Sequence, residues 1–384
     1  MLGVSRGDVL GPRPPEAAPD DAGATSGGGG AAPGDADDWE VSGPRQADMR
    51  ISLVPEEMVV LHHFVGPMRD AVARFDADDW VRVAAEVGVP VQAVRSPEEA
   101  LLDPTLVADG CVVEVDDPEL GPVRQVGAVY SLSACPTSPP TPPVPAGTHT
   151  AAVRAEAAGV GVPGSPSSPP GRSSTPGPPP TAPLAGIRVL DLGLAVAGPW
   201  GTQLLADLGA DVIKVNRAGE TYWMGTHYGV MCNRGKRSIA LDLKHPDGRA
   251  VLHRLVEGAD VVQHNMRADA ARRLGVDHES LRRLKPDLIS CHTRGFERGP
   301  RDGLPGNDQT GAALAGTTWL DSGLDHDGPP IWTVMSAGDT GNGFLSAIAI
   351  VQALWHRDRT GEGQAVDTSI LYAQLLNASM AWTT

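Results

Sequence analysis

The run SAGDTGNGF (336–344) sets one carboxylate, Asp339, among three glycines at the start of an apolar stretch, GFLSAIAIVQALW (343–355). Two roles fit that setting. As a helix N-cap, Asp339 accepts hydrogen bonds from the first helical N–H groups. As a covalent nucleophile it uses the same geometry: the positive end of the helix keeps it ionised, and Gly338, Gly341 and Gly343 let a substrate come close. The apolar stretch, interrupted by Ser346 and Gln352, is too short to span a bilayer and reads as a buried helix.

A second group of residues is cationic. LAVAGPWG (194–201), NRAGET (216–221), HNMRAD (264–269) and TRGFERGP (293–300) follow strand-like runs and carry Arg217, Arg267, Arg294 and Arg298 with Asn265. Arg273 lies one helical turn further on, and NRGKRS (233–238) adds Arg234, Lys236 and Arg237. Together they form a basic rim suited to a phosphorylated ligand; taken singly, each also reads as a surface residue in a solvated salt bridge. The loop after the first strand, G-L-A-V-A-G-P, lacks G-x-G-x-x-G and argues against NAD or FAD, and no Walker A run occurs. The four cysteines have no metal-ligand spacing and are expected as reduced thiols, and no zinc pattern is present. His62 and His63 read as ordinary residues of a helix face.

These groups need a scaffold. IRVLDL (187–192), DVIKV (211–215), SIALDL (238–243), DVVQH (260–264) and PDLISCHT (286–293) are short apolar strands. They alternate with helices at 199–208, 246–259 and ADAARRLG, which predicts an α/β, Rossmann-like parallel sheet with helices on both faces. Its ligands belong beyond the carboxyl ends of the strands. Ahead of it, residues 51–136 form a small α+β segment: PEEMVVLHHFVGPMRDAVARF with helical spacing, and DADDWVRVAAEVG begun by Asp76 or Asp78 and stopped by Gly88. VPVQAV follows as a strand, SPEEALLD as a helix capped by Ser96 with Pro97 first, and GCVVEVDDPELGPVRQVG as a hairpin. Residues 1–50 are a disordered acidic tail, and residues 137–183 a semi-stiff proline linker, with 15 prolines in the 48 positions 136–183.

Charge follows the same divisions. The chain carries −16 overall, yet residues 51–136 hold 15 acidic and 5 basic side chains while 184–384 hold 22 and 20. Such a chain is a poor partner for nucleic acid or anionic lipid, though its near-neutral half remains free to take a small anion. With no apolar leader at the amino terminus, a cytoplasmic protein is expected.

PLAGIRVLDLGLAVAGPWGTQLLADLGADVIKV, NRGKRSIALDLKHPDGRAVLHRLVEGADVV, LGVDHESLRRLKPDLI, SAGDTGNGF and RTGEGQAVDTSILYAQL, in this order, resemble the amino-terminal half of family III CoA-transferases, from about Pro183 onward. That family includes formyl-CoA transferase, carnitine CoA-transferase and the α-methylacyl-CoA racemases. The resemblance implies coenzyme A as substrate and no metal, acyl-CoA and carboxylate partners, and a homodimer or a partner subunit of the same family. It implies Asp339 as the nucleophile that forms an aspartyl mixed anhydride. It also implies Arg217 and Arg273 near the nucleotide phosphates, Val196, Ala197, Leu241 and Asn265 along the CoA groove, and Arg294 near the pantetheine. Family positions differ at Asn216, where Glu is usual, and at Ala268 and Asp269, where Pro and Gly are usual. The racemase branch carries His where this chain has Asn307, and an amide does not shuttle a proton. Residues 76–127 resemble the family's carboxy-terminal part, so the resemblance implies a chain that runs end first, then linker, then beginning, with the family's small domain expected to be missing. A tandem-fusion fragment and a permuted subunit both fit, with residues 51–136 able to dock on 184–384. The function implied is CoA transfer between an acyl-CoA and an acid; the alternatives are a non-catalytic CoA-binding partner and a racemase-type isomerase.

Overall fold

The computed structural model describes residues 66–138, 141–159, 182–220, 227–331 and 337–383. The tail at 1–50, the helical pattern before residue 66, His62, His63 and much of the proline stretch lie outside them. The chain divides into two compact units, Met1–Val83 and Ala84–Thr384. In the first, residues 66–72 are helical, Trp80 Nε1 donates to the Val72 carbonyl at 2.8 Å, and its ring meets Phe75 edge-on.

Among the described residues the second unit is built on nine strands: β1 (Val112–Asp117), β2 (Gly121–Val126), β3 (Ser131–Leu132), β4 (Arg188–Asp191), β5 (Asp211–Arg217), β6 (Arg237–Leu241), β7 (Val261–His264), β8 (Ile289–Arg294) and β9 (Ala365–Ser369). β1 and β2 form the expected hairpin. The other seven make one sheet in the order β3-β9-β8-β7-β4-β5-β6, parallel except for β3. From β4 the chain winds outward through β5 and β6, then returns to the other side of β4 for β7, β8 and β9. The direction of winding therefore reverses between β4 and β7, which opens a crevice at their carboxyl ends.

The strands are apolar on both faces because both faces are covered. Val189, Val212, Val261, Ile289 and Val366 pack with Ala349, Ile350 and Ala353 of the helix Ala337–Thr360. Leu190, Ile213 and Val262 pack with Leu252, Val256 and Leu281 of the helices on the opposite side. Pro199 and Pro246 occupy the first positions of the helices Pro199–Asp207 and Pro246–Glu257, where a missing N–H costs nothing and the fixed φ suits the helix.

Residues from the acidic front segment join this core. The helix Pro97–Leu101 starts with a capping box between Ser96 and Glu99. Ala100, Leu101, Leu106, Cys111 and Val112 then share one apolar cluster with Leu314, Ala315, Leu345, Leu371 and Tyr372. β3 extends the sheet by pairing Ser131 with Asp367 and Leu132 with Val366.

Three expectations are corrected. VPVQAV (89–94) is extended but joins no sheet; Pro90 lacks an N–H, and the run passes beside the helix Asp308–Ala315, with Arg95 N donating to the Ala313 carbonyl at 2.9 Å. Within the proline-rich stretch, Thr150–Gly159 is helical because TAAVRAEAA holds no proline and is rich in the best helix former. The stretch Gly343–Trp355 is helical but only half buried, since Phe344, Ile348, Val351 and Trp355 form an exposed stripe along it.

Candidate active site

Asp339 lies in the first turn of the helix Ala337–Thr360. Its carboxylate is half-buried and accepts no hydrogen bond from any described residue. The cap expected of it is supplied from another helix. Asp308, at the start of Asp308–Ala315, accepts through one oxygen, Oδ1, from Gly338 N at 2.7 Å, Asp339 N at 3.0 Å and Gln374 Nε2 at 3.2 Å. Asp308 is itself fixed by a reciprocal cap between Asn307 and Thr310. A side chain at Gly338 would meet Asp308 Oδ1 at 2.6 Å and Ile370 Cγ2 at 2.7 Å, so glycine there permits the close approach of the two turns.

Electrostatics corrects a second expectation. Burial, with the nearby Asp308 charge, pushes the Asp339 carboxyl up to about 7. The helix terminus favours the ionised form by about 0.3–1 kcal/mol, less than the lost hydration and the second carboxylate take away. Burial also raises Asp308, while its three donors pull it back. Asp308 therefore keeps the charge when the pair shares a proton. Cys232 faces this region, its thiol raised to about 11 by burial, with Asp339 among the charges acting on it.

The crevice between β4 and β7 rests on a buried cluster. Asp191 is fully buried; it takes Lys236 Nζ at 2.8 Å and Lys214 Nζ at 3.4 Å. Lys236 also donates to the Pro199 carbonyl and Thr202 Oγ1, each at 2.8 Å, and Lys214 to the Gly193 carbonyl. The two ammonium groups hold Asp191 down at about 2 despite its burial. This cluster anchors the loop 193–199. On the loop's other side, Asn265 receives Leu194 N and donates to Leu194 O, both at 2.8 Å. Ala195 sits at φ +59° between these anchors, a conformation that costs a non-glycine residue about 1–2 kcal/mol and that the two clamps enforce.

The basic rim separates into two kinds of residue. Arg294 is engaged by Asp367 at 2.7 Å and by Asp302. Arg298 bonds Asp109 at 2.9 Å, Arg234 bonds Asp207 at 2.6 Å, and Arg237 bonds Asp211 at 2.7 Å. Arg217 at the end of β5, Arg267 after β7 and Arg273 on the helix Ala268–Leu274 are exposed, and no described carboxylate pairs with them. Leu241 is half-buried opposite Arg217 at the end of β6, and Val196 and Ala197 are buried in the loop 193–199. Asn265, Arg267 and Arg294 line a cavity of about 290 Å³ beyond the ends of β7 and β8. Asp339 is not among its lining residues, nor are Arg217 and Arg273.

His264 and His292 stack at 4.5 Å across β7 and β8. Burial drives His264 far down and His292 to about 3, so both are neutral at pH 7. Among the described residues no group of three or more His, Cys, Asp or Glu side chains could hold a metal ion, and all four cysteines are free. Sequence reasoning missed Asp308, Gln374, Asp191 and Lys214. The N-x-x-T cap at Asn307 was legible; its use in presenting Asp308 to another helix was not.

Comparison with known proteins gives the class. The family described as CoA-transferase family III matches residues 44–150 and 184–384, and the chain belongs to it. The succinate–glutarate CoA-transferase of Agrobacterium fabrum is 40% identical over 211 residues, 50% of this chain and 52% of that protein. The succinyl-CoA:mesaconate CoA-transferase of Haloarcula hispanica is 40% identical over 204 residues, 48% of this chain and 50% of that protein. The formyl-CoA:oxalate CoA-transferase of Rhodopseudomonas palustris is 36% identical over 213 residues, 52% and 48% of the two chains. The chain spans about half the length of the curated relatives it matches.

Proposed function

We propose that this protein transfers CoA between an acyl-CoA and a carboxylic acid, with Asp339 as nucleophile. The observation that carries the reading is the Asp339 carboxylate itself: a half-buried acid at a helix start, with two of the first N–H groups taken by Asp308 and no partner for the carboxylate among the described residues. Arg217, Arg267 and Arg273, which no described carboxylate pairs, support an anionic ligand at the strand ends, with Arg217 and Arg273 on the nucleotide phosphates. Val196, Ala197, Leu241 and Asn265 line the CoA groove. Arg294 faces the pantetheine from its ion pairs, so it acts by holding the cavity wall.

The chemistry needs no net proton. An Asp339 oxygen attacks the thioester carbon, the C–S bond breaks, and a mixed anhydride and CoA thiolate form. The thiolate attacks the Asp339 carbonyl carbon, releasing the donor acid and leaving an aspartyl-CoA thioester. The acceptor carboxylate repeats the first step on that thioester, and the freed thiolate takes the new acyl group and regenerates Asp339. Because the attacking group must be ionised, the rate rises with pH through about 7.

The reading further places acyl-CoA and acid substrates in the cytoplasm, on a homodimer or with a partner subunit of the family, and gives residues 51–136 the role of the family's carboxy-terminal part. No described helix is long and apolar enough to cross a membrane. A racemase role finds no support at Asn307, whose amide is occupied as a helix cap. Succinyl-CoA is the donor to try, given the relatives. Transfer to an acid that is lost in Asp339→Asn supports the proposal; transfer retained by that variant overturns it. Tight CoA binding with no transfer by the unaltered protein shifts the reading to a CoA-binding partner.

A further inference from the structure

We infer that Asp308 is a positioning residue for Asp339: it caps the helix Ala337–Thr360 from outside and so frees the Asp339 carboxylate from capping its own helix. The inference rests on the proposed role of Asp339 and adds a second residue to it.

The geometry carries the argument. A helix start leaves its first N–H groups without partners, and an oxygen-bearing side chain at or beside that start is the usual one to satisfy them. Had Asp339 done so, its oxygens would be tied to the backbone and poor at attacking a carbonyl carbon. Asp308 instead collects Gly338 N, Asp339 N and Gln374 Nε2 on Oδ1. It is 3% exposed and held at the head of its own helix by the Asn307–Thr310 cap. Gln374 is oriented in turn by Thr317, whose hydroxyl donates to its Oε1 at 2.9 Å. Four residues thus fix one carboxylate oxygen against the backbone of the reacting residue. Glycine at 338 makes the approach possible, since any side chain there collides with Asp308, Ile370 and Gln374.

Asp308 acts by charge as well as by position. It is the only described charge with a resolved influence on Asp339. The elements around the helix Ala337–Thr360 offer Cys232, a neutral thiol, from the helix His227–Asn233, and Gln374 from Ile370–Asn377. Behind Cys232 stand Asp191, Lys214 and Lys236, which bond one another. Asp207, on the helix Pro199–Asp207, is paired with Arg234. An anion bound to three donors thus stands beside one that no described donor binds, and the proton goes to Asp339.

Two variants and two readouts test this, neither requiring turnover. In Asp308→Asn the amide oxygen still accepts from both N–H groups but the charge is gone. With carboxyl-labelled aspartate, the NMR titration midpoint of Asp339 is expected to fall by about one unit from about 7, while hydrogen exchange at Gly338 and Asp339 stays slow. In Asp308→Ala the acceptor is gone too, and exchange at those two amides is expected to accelerate about tenfold, the effect of a lost cap. A midpoint unchanged in Asp308→Asn, or exchange unchanged in Asp308→Ala, overturns the inference. A residue that merely stabilised the fold would not move the Asp339 titration. Failure of the nucleophile reading would show separately, as transfer persisting in Asp339→Asn, whichever way the titration goes.

Discussion

Replacing Asp339 by Asn should make the protein more stable at high pH and not at low pH. The folded-state affinity of Asp339 for its proton is raised, from an ordinary carboxyl to about 7. The stabilisation from keeping it protonated is present in full below about pH 4 and is lost as pH rises through 7. Each unit is worth about 1.4 kcal/mol, so a rise of about three units caps the cost of ionising Asp339 near 4 kcal/mol. Water reaching the half-exposed carboxylate screens this to about 1–3 kcal/mol. The asparagine does not titrate, so any fixed packing penalty is the same at every pH. Urea unfolding of both proteins at pH 4.5 and at pH 8 isolates the difference. The gap between variant and parent should shift in the variant's favour by about 1–3 kcal/mol between the two pH values. A gap that stays constant refutes the argument, because it would mean that Asp339 is as well solvated in the fold as in the unfolded chain.

The remaining variants separate building residues from binding ones. Arg294→Ala leaves Asp302 and Asp367 without their shared cation and should cost about 3–5 kcal/mol of unfolding free energy; an unchanged urea midpoint would contradict the pairing. Arg273→Ala, by contrast, touches an exposed side chain that no described carboxylate pairs: stability should stay within about 0.5 kcal/mol, while calorimetry should show CoA binding weakened about tenfold with a shallower salt dependence. In Gly338→Ala the new methyl meets Asp308 Oδ1 at 2.6 Å, so unfolding free energy should drop by about 1–3 kcal/mol and the amide of Asp339 should exchange faster. A fully stable variant would place the two helix starts further apart than described.

The sheet was legible because its signals are local and repeated. Five apolar runs at 187–192, 211–215, 238–243, 260–264 and 286–293 became β4 to β8 with ends shifted by up to three residues, since burial on both faces leaves few alternatives for such runs. Ser96 and Pro97 announced their helix for the same reason. VPVQAV misled because its composition suits a strand but it has no strand beside it; pairing is a tertiary fact. The exposed stripe of Phe344, Ile348, Val351 and Trp355 was hidden in a run apolar on every side, which has no periodicity to read. At the site, Asp339 and the rim arginines stood out by type and setting. Their states did not. Which arginines are neutralised depends on Asp109, Asp207, Asp302 and Asp367, up to 189 residues away in sequence. That Asp339 is relieved of capping depends on Asp308, 31 residues before it.

The central claim is that Asp339 becomes acylated. The protein is mixed with succinyl-CoA and hydroxylamine, which attacks the activated aspartyl carbonyl carbon and expels the acid or the CoA thiolate, and the digest is read by mass spectrometry. The account predicts a hydroxamate on Asp339, absent from Asp339→Asn and formed faster at pH 8 than at pH 6. Transfer of CoA accompanied by a hydroxamate elsewhere, or by none, would contradict it.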